Sequence, residues 1–301
     1  MPGDAGETFL TAIETAMGEV QRTNWDDPIS GEQVMEAMER LLTTPHPDLG
    51  LEVLVRDGVM EPLLPEVFAM VGFGEGIRHK DVWAHTKQVV RQTPPRLIVR
   101  WAALLHDIGK VPTRRFEQGG QVTFIGHPEV GARLFDRITR RLPFPDDITE
   151  RIRFLIAAHL RAAGYEESWT DSAVRRFARD GGDNLDDLLD LARADITSKH
   201  TEKVRKGLRQ INLLADRIAD LREQDEKPVP LPTGLGTALM ERFEIVPGPG
   251  LGRLMNALKA IVEEGNLQAG APFEHYIDYV EEHDELRELL KNFGSQQRRS
   301  P

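Results

Sequence analysis

Apolar residues recur at three- and four-residue steps along nearly the whole chain, and strand-like alternation is scarce. That periodicity restricts the fold to packed helices. In Gly31–Leu42, the residues Val34, Met35, Met38, Leu41 and Leu42 fall on one helix face. Ser30 stands ahead in an N-cap position with Gln33 three residues on, a capping-box pattern. Residues 81–91 and 96–108 read as two helices divided at Pro94-Pro95, which cannot continue a helix. Residues 128–142, 148–163 and 170–179 follow, and Asn184 is placed to cap a helix over 185–199. Residues 201–223 form the longest helix. Its seam of Val204, Leu208, Ile211, Leu214, Ile218 and Leu221 suits packing on the body of the protein, with a dimer seam as the alternative. Residues 227–236, rich in Pro and Gly, read as a connection. Helices over 251–264 and 273–290 close the chain before a frayed tail at 294–301. Residues 121–124 are the one strand candidate, so the fold class is all-α.

The composition is that of a globular protein: of 301 residues, 40% are hydrophobic and 29% charged. The 49 acidic against 38 basic side chains give a net charge of −11. A protein that coats nucleic acid non-specifically needs the opposite balance, although a local basic patch is compatible with it. The chain has no cysteine. Disulfides, thiolate-bound zinc, iron–sulfur clusters and thiol nucleophiles are thereby excluded, and any metal must sit on His, Asp or Glu. Residues 1–10 carry no signal-peptide pattern. No run approaches the roughly 20 apolar residues of a membrane helix, so a cytoplasmic protein with no membrane partner is expected.

Four of the nine histidines form an ordered series with two aspartates: His85, His106-Asp107, His127, His159 and Asp195. His106-Asp107 closes the apolar run Trp101-Ala-Ala-Leu-Leu, and Asp195 follows Leu191-Ala-Arg-Ala. A charged aspartate is almost never buried unless paired or bound to metal, so both need partners. Histidine is the commonest metal ligand and carboxylates bridge pairs of cations well. Four His and two Asp are about what two adjacent divalent ions require. A single histidine on an apolar face is more often a hydrogen-bonded core residue. His46, His200, His275 and His283, which lack this context, read as surface residues.

The ordered set with His106-Asp-Ile-Gly-Lys110 at its centre resembles the HD superfamily of metal-dependent phosphohydrolases. Arg78-His-Lys-Asp-Val-Trp-Ala-His-Thr86, Ala102-Ala-Leu-Leu-His-Asp-Ile-Gly-Lys110, Phe124-Ile-Gly-His-Pro-Glu-Val-Gly-Ala132 and Leu191-Ala-Arg-Ala-Asp195 are similar to the bacterial CCA-adding enzymes, the tRNA nucleotidyltransferases. So are residues 29–64 ahead of them, with Met60-Glu-Pro-Leu-Leu-Pro65, and 233–265 after them, with Pro247-Gly-Pro-Gly-Leu-Gly-Arg253. The resemblance covers about residues 29–268. It implies an HD-type helical fold with a lead segment at 1–28, a neck-like region at 29–72, an HD domain at 73–200, a helical body at 201–292 and a tail at 293–301. The family's polymerase head, a mixed α/β unit, precedes its neck. The 28 residues ahead of Ile29 are too few for one, so nucleotide addition is expected to be absent. Gly236-Thr-Ala-Leu-Met240 also departs from the family, which has an acidic residue near position 238.

Carried over to this chain, the resemblance implies that His85, His106, Asp107 and Asp195 hold a first divalent ion. His127 and His159 hold a second, with Asp107 bridging; Mn, Mg, Ni, Co and Fe all suit these ligand types. Lys110, three residues after Asp107, is placed to meet a phosphate, its alternative being a solvated helix-end lysine. His79, Arg114 and Arg161 flank the ligand positions as candidate substrate contacts. Lys199, Lys203, Arg205, Lys206 and Arg209 form a local basic cluster that suits a solvated helix face, or tRNA under the family resemblance. The expected activity is hydrolysis of a phosphomonoester or 2′,3′-cyclic phosphate on a nucleotide or an RNA end. The alternatives are a di-iron HD-type oxygenase of a small molecule and a non-catalytic RNA-binding module.

Overall fold

The computed structural model describes residues 30–74, 81–117, 122–226 and 230–291. Up to residue 126 its elements are α1 (Gly31–Leu42), α2 (Pro47–Arg56), α3 (Met60–Leu63), α4 (Pro65–Phe68), α5 (Val82–Gln92), α6 (Leu97–Leu105), α7 (Lys110–Thr113), β1 (Arg115–Phe116) and β2 (Val122–Thr123). There follow α8 (His127–Ile138), α9 (Asp146–Ala158), a 3-10 turn (Ala162–Gly164), α10 (Asp171–Gly181), α11 (Leu185–Asp195) and α12 (Thr201–Glu226). The last are α13 (Leu235–Phe243), α14 (Pro249–Glu263), α15 (Phe273–Glu282) and α16 (Asp284–Lys291). The all-α class holds. Among the described residues the strands amount to a single antiparallel pair, Arg115 opposite Thr123 and Phe116 opposite Val122.

Two compact units divide between Ala219 and Asp220. The first is built around α6, on which Val99, Trp101, Ala102, Ala103, Leu104 and Leu105 are completely buried. Helices α1, α5, α9 and α11 pack against it, and each large apolar side chain so enclosed contributes about 1.5–3 kcal/mol. Arg100 is buried in the same helix because its guanidinium caps loose ends. It donates to the carbonyls of Thr93 (2.8 Å), Pro94 (3.1 Å) and Leu42 (2.8 Å). Burial lowers its pKa to about 10, which leaves it a cation at neutral pH. The Pro94-Pro95 break falls between α5 and α6 as the sequence requires. Ser30 and Gln33 form the expected reciprocal cap on α1. On α12, Ile211, Leu214 and Ile218 are buried within the one chain, which favours packing on the body over a dimer seam. In the second unit, Leu235, Leu239, Leu254, Leu258, Tyr276 and Val280 form a separate core. The Tyr276 hydroxyl donates to the Gln268 carbonyl at 2.7 Å.

Four local readings are corrected. Asn184 occupies the N-cap position of α11 without a side-chain cap bond, because its Oδ1 accepts from Arg151 Nε at 2.9 Å. Helix α11 stops at Asp195 instead of continuing to residue 199, since Ile196 leaves the helical region with ψ 89°. The segment 273–290 is two helices: His283 is extended (φ −115°, ψ 103°) with its ring stacked on Tyr279, and an extended residue cannot continue the helical ladder. His46 is half-buried ahead of α2, 4.0 Å from Asp48, and is not a surface residue. The expected tail at 294–301 and lead segment at 1–28 lie outside the described residues.

Candidate metal centre

Six side chains from five helices converge at one end of α6. His85 sits in the first turn of α5, which starts where Asp81 accepts from the Ala84 N–H. His106 is the C-cap of α6 and Asp107 follows it into the turn. His127 opens α8 after Gly126, whose left-handed φ of 77° suits glycine. His159 is the C-cap of α9, and Asp195 ends α11. His106, Asp107, His127 and His159 are all buried. The turn after Asp107 is drawn tight by Gly109: a Cβ there would lie 2.0 Å from the His127 carbonyl oxygen and 2.7 Å from the Gly131 nitrogen.

The imidazoles are oriented from behind. Nδ1 of His106 donates to the Ala103 carbonyl at 2.8 Å, that of His127 to Phe124 at 2.9 Å, and that of His159 to Ile156 at 2.7 Å. A carbonyl only accepts, so Nδ1 carries the proton and Nε2 of the neutral ring presents a lone pair. These Nε2 atoms meet: His127 and His159 at 3.2 Å, His85 and His106 at 3.3 Å. Asp107 stands between the pairs. Its Oδ2 lies 3.1 Å from His106 Nε2 and 3.4 Å from His85 Nε2, while Oδ1 lies 3.5 Å from His127 Nε2. Asp195 Oδ1 lies 3.0 Å from His85 Nε2 and 3.6 Å from His106 Nε2.

The electrostatics call for positive charge. Burial opposes ionisation of Asp107 and Asp195, yet the neighbouring His106 and His85 outweigh it and hold both carboxyls well below the usual range. Burial equally opposes charge on His106, but Asp107 and Asp195 prevail and raise its pKa to about 10. On the other side burial wins. It lowers His127 and, helped by the charge of His106, brings His159 down to about 4. Two neutral rings therefore face each other with lone pairs converging, an arrangement that is repulsive unless a cation lies against both. Asp107 Oδ2 is buried with no hydrogen bond of acceptable geometry. Donors of this kind fit divalent ions. Two groups, His85–His106–Asp107 and Asp107–His127–His159, each bring ligand atoms within 4.8 Å of one another, and they share Asp107.

Lys110, at the start of α7, joins the cluster with Nζ 2.9 Å from Asp107 Oδ2. Arg114 lies further out, its guanidinium over the Phe73 and Phe116 rings and donating to the Gly74 carbonyl. Arg161 is engaged elsewhere, pairing with Asp180 at 2.9 Å beside the Phe177 ring. His79 lies outside the described residues. The residue that sequence reasoning missed is Thr197. It is buried, and its Oγ1 is 2.6 Å from His85 Nδ1. Its position two residues past Asp195 was the only available signal.

The HD domain family matches residues 79–217, and the family described as the probable RNA and SrmB-binding site of polymerase A matches residues 27–70. Among curated proteins, the CC-adding tRNA nucleotidyltransferase of Thermus thermophilus is 33% identical over 247 residues, 78% of this chain and 54% of that protein. The A-adding tRNA nucleotidyltransferase of Deinococcus radiodurans is 32% identical over 254 residues, 80% of this chain and 57% of that protein. A multifunctional CCA protein of Pseudomonas paraeruginosa is 32% identical over 166 residues, 52% of this chain and 40% of its own length. The chain spans about half the length of the curated relatives it matches most extensively. An HD domain implies divalent-metal binding and a place among metal-dependent hydrolases. Residues 79–217 of the chain are an HD domain, and the chain is similar to the neck and HD region of the CCA-adding tRNA nucleotidyltransferases.

Proposed function

We propose that the protein is a divalent-metal-dependent phosphohydrolase acting on a phosphomonoester or 2′,3′-cyclic phosphate of a nucleotide or RNA end. The observation that carries this reading is Asp107, a buried carboxylate whose Oδ2 faces the Nε2 atoms of His106 and His85 while its Oδ1 faces that of His127, and which is shared by two groups of candidate ligands. His85, His106, Asp107 and Asp195 would hold one ion. Asp107, His127 and His159 would hold another, from among Mn, Mg, Ni, Co and Fe. The chemistry such ions supply is acidification of a water and neutralisation of phosphoryl charge. The chain's own residues do the rest. Asp107 fixes the two ligand groups relative to each other, and the backbone carbonyls behind His106, His127 and His159 hold the Nδ1 protons, so that Nε2 is the ring atom each turns to the cluster. Lys110 brings an ammonium to the rim of the same cluster, where it can turn from Asp107 to a phosphoryl oxygen.

Residues 27–70 and the tRNA-modifying relatives support RNA association, and the exposed basic side chains Lys199, Lys203, Arg205, Lys206 and Arg209 on and beside α12 offer phosphate contacts. We further propose the division into a neck-like region at 29–72, an HD domain at 73–200 and a helical body at 201–292. A cytoplasmic setting accords with the relatives; among the described residues no helix is long and apolar enough to cross a membrane.

Elemental analysis of untreated protein, with a phosphatase and cyclic-phosphodiesterase panel on the same sample, tests the reading. About two divalent ions per chain are expected, with hydrolysis lost in Asp107→Ala. Iron with O₂-dependent turnover and no hydrolysis would replace the reading by an oxygenase. Absence of metal and of activity would leave a binding module.

A further inference from the structure

A row of side chains runs outward from the cluster. Lys110, 2.9 Å from Asp107, also lies over the Phe124 ring, 5.6 Å from its centroid. Phe124 meets Phe73 at 6.4 Å between centroids. The Arg114 guanidinium covers Phe73 at 4.2 Å and reaches Phe116 at 5.4 Å. Phe116 is 69% exposed and Ile125 beside Phe124 is 79% exposed. Isolated exposed apolar side chains need no explanation. Here three aromatic rings and two cations touch in series, Lys110 to Phe124, Phe124 to Phe73, and Phe73 through Arg114 to Phe116, and the series begins at the candidate phosphate site. Among the described residues Arg114 forms no ion pair; its described polar contact is the Gly74 carbonyl at 3.4 Å.

We propose that Phe124, Phe73 and Phe116, with Arg114 between them, are a stacking subsite for nucleobases, so that the protein prefers the end of an oligonucleotide to a mononucleotide or a simple phosphate ester. The inference rests on the phosphohydrolase reading and deepens it. Flat apolar rings accept any base by its face, and cations set among them neutralise the phosphates that join the bases. Stacking of this kind is sequence-tolerant. The inner ring, beside Lys110, serves the nucleotide that bears the ester, and the outer ring serves its neighbour. The row takes its length from the turn between α7 and α8, where β1 holds Phe116 opposite Val122.

Equilibrium binding tests this without turnover. A mixed-sequence trinucleotide ending in a 3′-methylenephosphonate, whose P–C bond replaces the scissile ester bond, and inorganic phosphate are titrated calorimetrically into the full-length protein and into Phe116→Ala and Phe116→Trp. Phe116 is too exposed for its loss to unfold the chain. In Phe116→Ala, trinucleotide affinity is expected to fall about 5- to 150-fold relative to phosphate affinity, the range that follows from ~1–3 kcal/mol per stacked base. Phe116→Trp is expected to retain it. Equal trinucleotide affinity in Phe116→Ala and the unmodified protein overturns the proposal, as does a parallel loss for both ligands. Failure of the unmodified protein to bind trinucleotide also overturns it. If phosphate still binds, only the subsite falls; if phosphate binding is absent too, the phosphate site falls with it. Self-association of the unmodified protein that Phe116→Ala abolishes, without a change in trinucleotide binding, would make the row a protein-docking surface instead.

Discussion

The sharpest structural consequence falls on a residue that carries no functional group. Gly109 joins the turn holding Asp107 to the start of α7, and its Cα faces the first turn of α8. A methyl group there would lie 2.0 Å from the His127 carbonyl oxygen and 2.7 Å from the Gly131 nitrogen, whereas real Cβ contacts stay beyond 3.0 Å. Both obstacles are backbone, so no rotamer change relieves them, and the two segments must part by about 1 Å. Overpacking of this kind costs about 1–3 kcal/mol. In a unit of this size that is roughly a 2–12 °C fall in Tm, from about 2–4 °C per kcal/mol. The displaced segment carries His127, so the distance from Asp107 to the His127–His159 group changes as well. Metal ligands must lie within about 0.2 Å of their ideal distances, and affinity at that group is expected to fall at least tenfold. Gly109→Ala should therefore melt lower in the presence of chelator and bind manganese more weakly, as read by calorimetry. Gly131→Ala is the comparison, since its Cβ would crowd the Ile156 side chain, at 3.1 Å, and meet the Gly109 nitrogen and His106 carbonyl oxygen at ordinary contact distances of 3.6 and 3.7 Å. A Gly109→Ala protein within 0.5 kcal/mol of the unmodified one, with manganese binding unchanged, would refute the close-approach argument.

Thr197→Val removes the hydroxyl that holds His85 Nδ1 but keeps the shape of the side chain. Metal affinity should drop about 10- to 100-fold, as for other partners behind a ligand, while urea unfolding of the chelated protein changes by about 1 kcal/mol or less; unchanged affinity would show that His85 needs no such support. For protein kept metal-free, His159 is lowered to about 4 and His106 raised to about 10, so the stability tied to His159 is lost as pH falls from the ordinary histidine value of 6.5 towards 4, and that tied to protonated His106 is lost as pH rises from 6.5 towards 10. Urea midpoints with EDTA should thus peak near neutrality, and a midpoint that climbs steadily from pH 6.5 to 10 would refute the assignment of charge to His106.

The six candidate ligands were legible because their signal is local. His106-Asp107 and Asp195 are out of place at the ends of apolar helical runs, and the ordered set that adds His85, His127 and His159 was readable through its resemblance to the HD superfamily. The helices of the first unit were legible for the same reason, from their period and from Pro94-Pro95. What escaped depends on partners distant in sequence. Thr197 acquires its role from a ring 112 positions earlier. Nothing near Asn184 announces that Arg151 will take its side chain from the cap. Arg161 has the right charge and the right neighbours in sequence, yet Asp180 on α10 claims it. The break at His283 has no glycine or proline to mark it, only a ring that stacks back on Tyr279.

The orientation of the rings shows how the fold and the site share one device. His106 and His159 are both C-caps, and each donates Nδ1–H to the carbonyl three residues before it. The last four carbonyls of a helix lack partners within it, and leaving one unpaired in a buried place costs about 1–3 kcal/mol. The histidine removes that cost, and the same bond sets its tautomer with Nε2 turned to the cluster. His127 takes the Phe124 carbonyl in the turn ahead of α8, again three residues back. His85 is the exception. It stands within α5, where carbonyls are already used by the helix, so its Nδ1 needs a partner from another segment, and Thr197 supplies it. The early end of α11 at Asp195 is what makes this possible. Had the helix continued through Ile196, as its apolar period invited, Thr197 would have been carried round the helix and His85 left without a fixed tautomer. Stopping α11 there therefore places a carboxylate and an orienting hydroxyl on the same histidine, from two residues that are adjacent but one in the sequence.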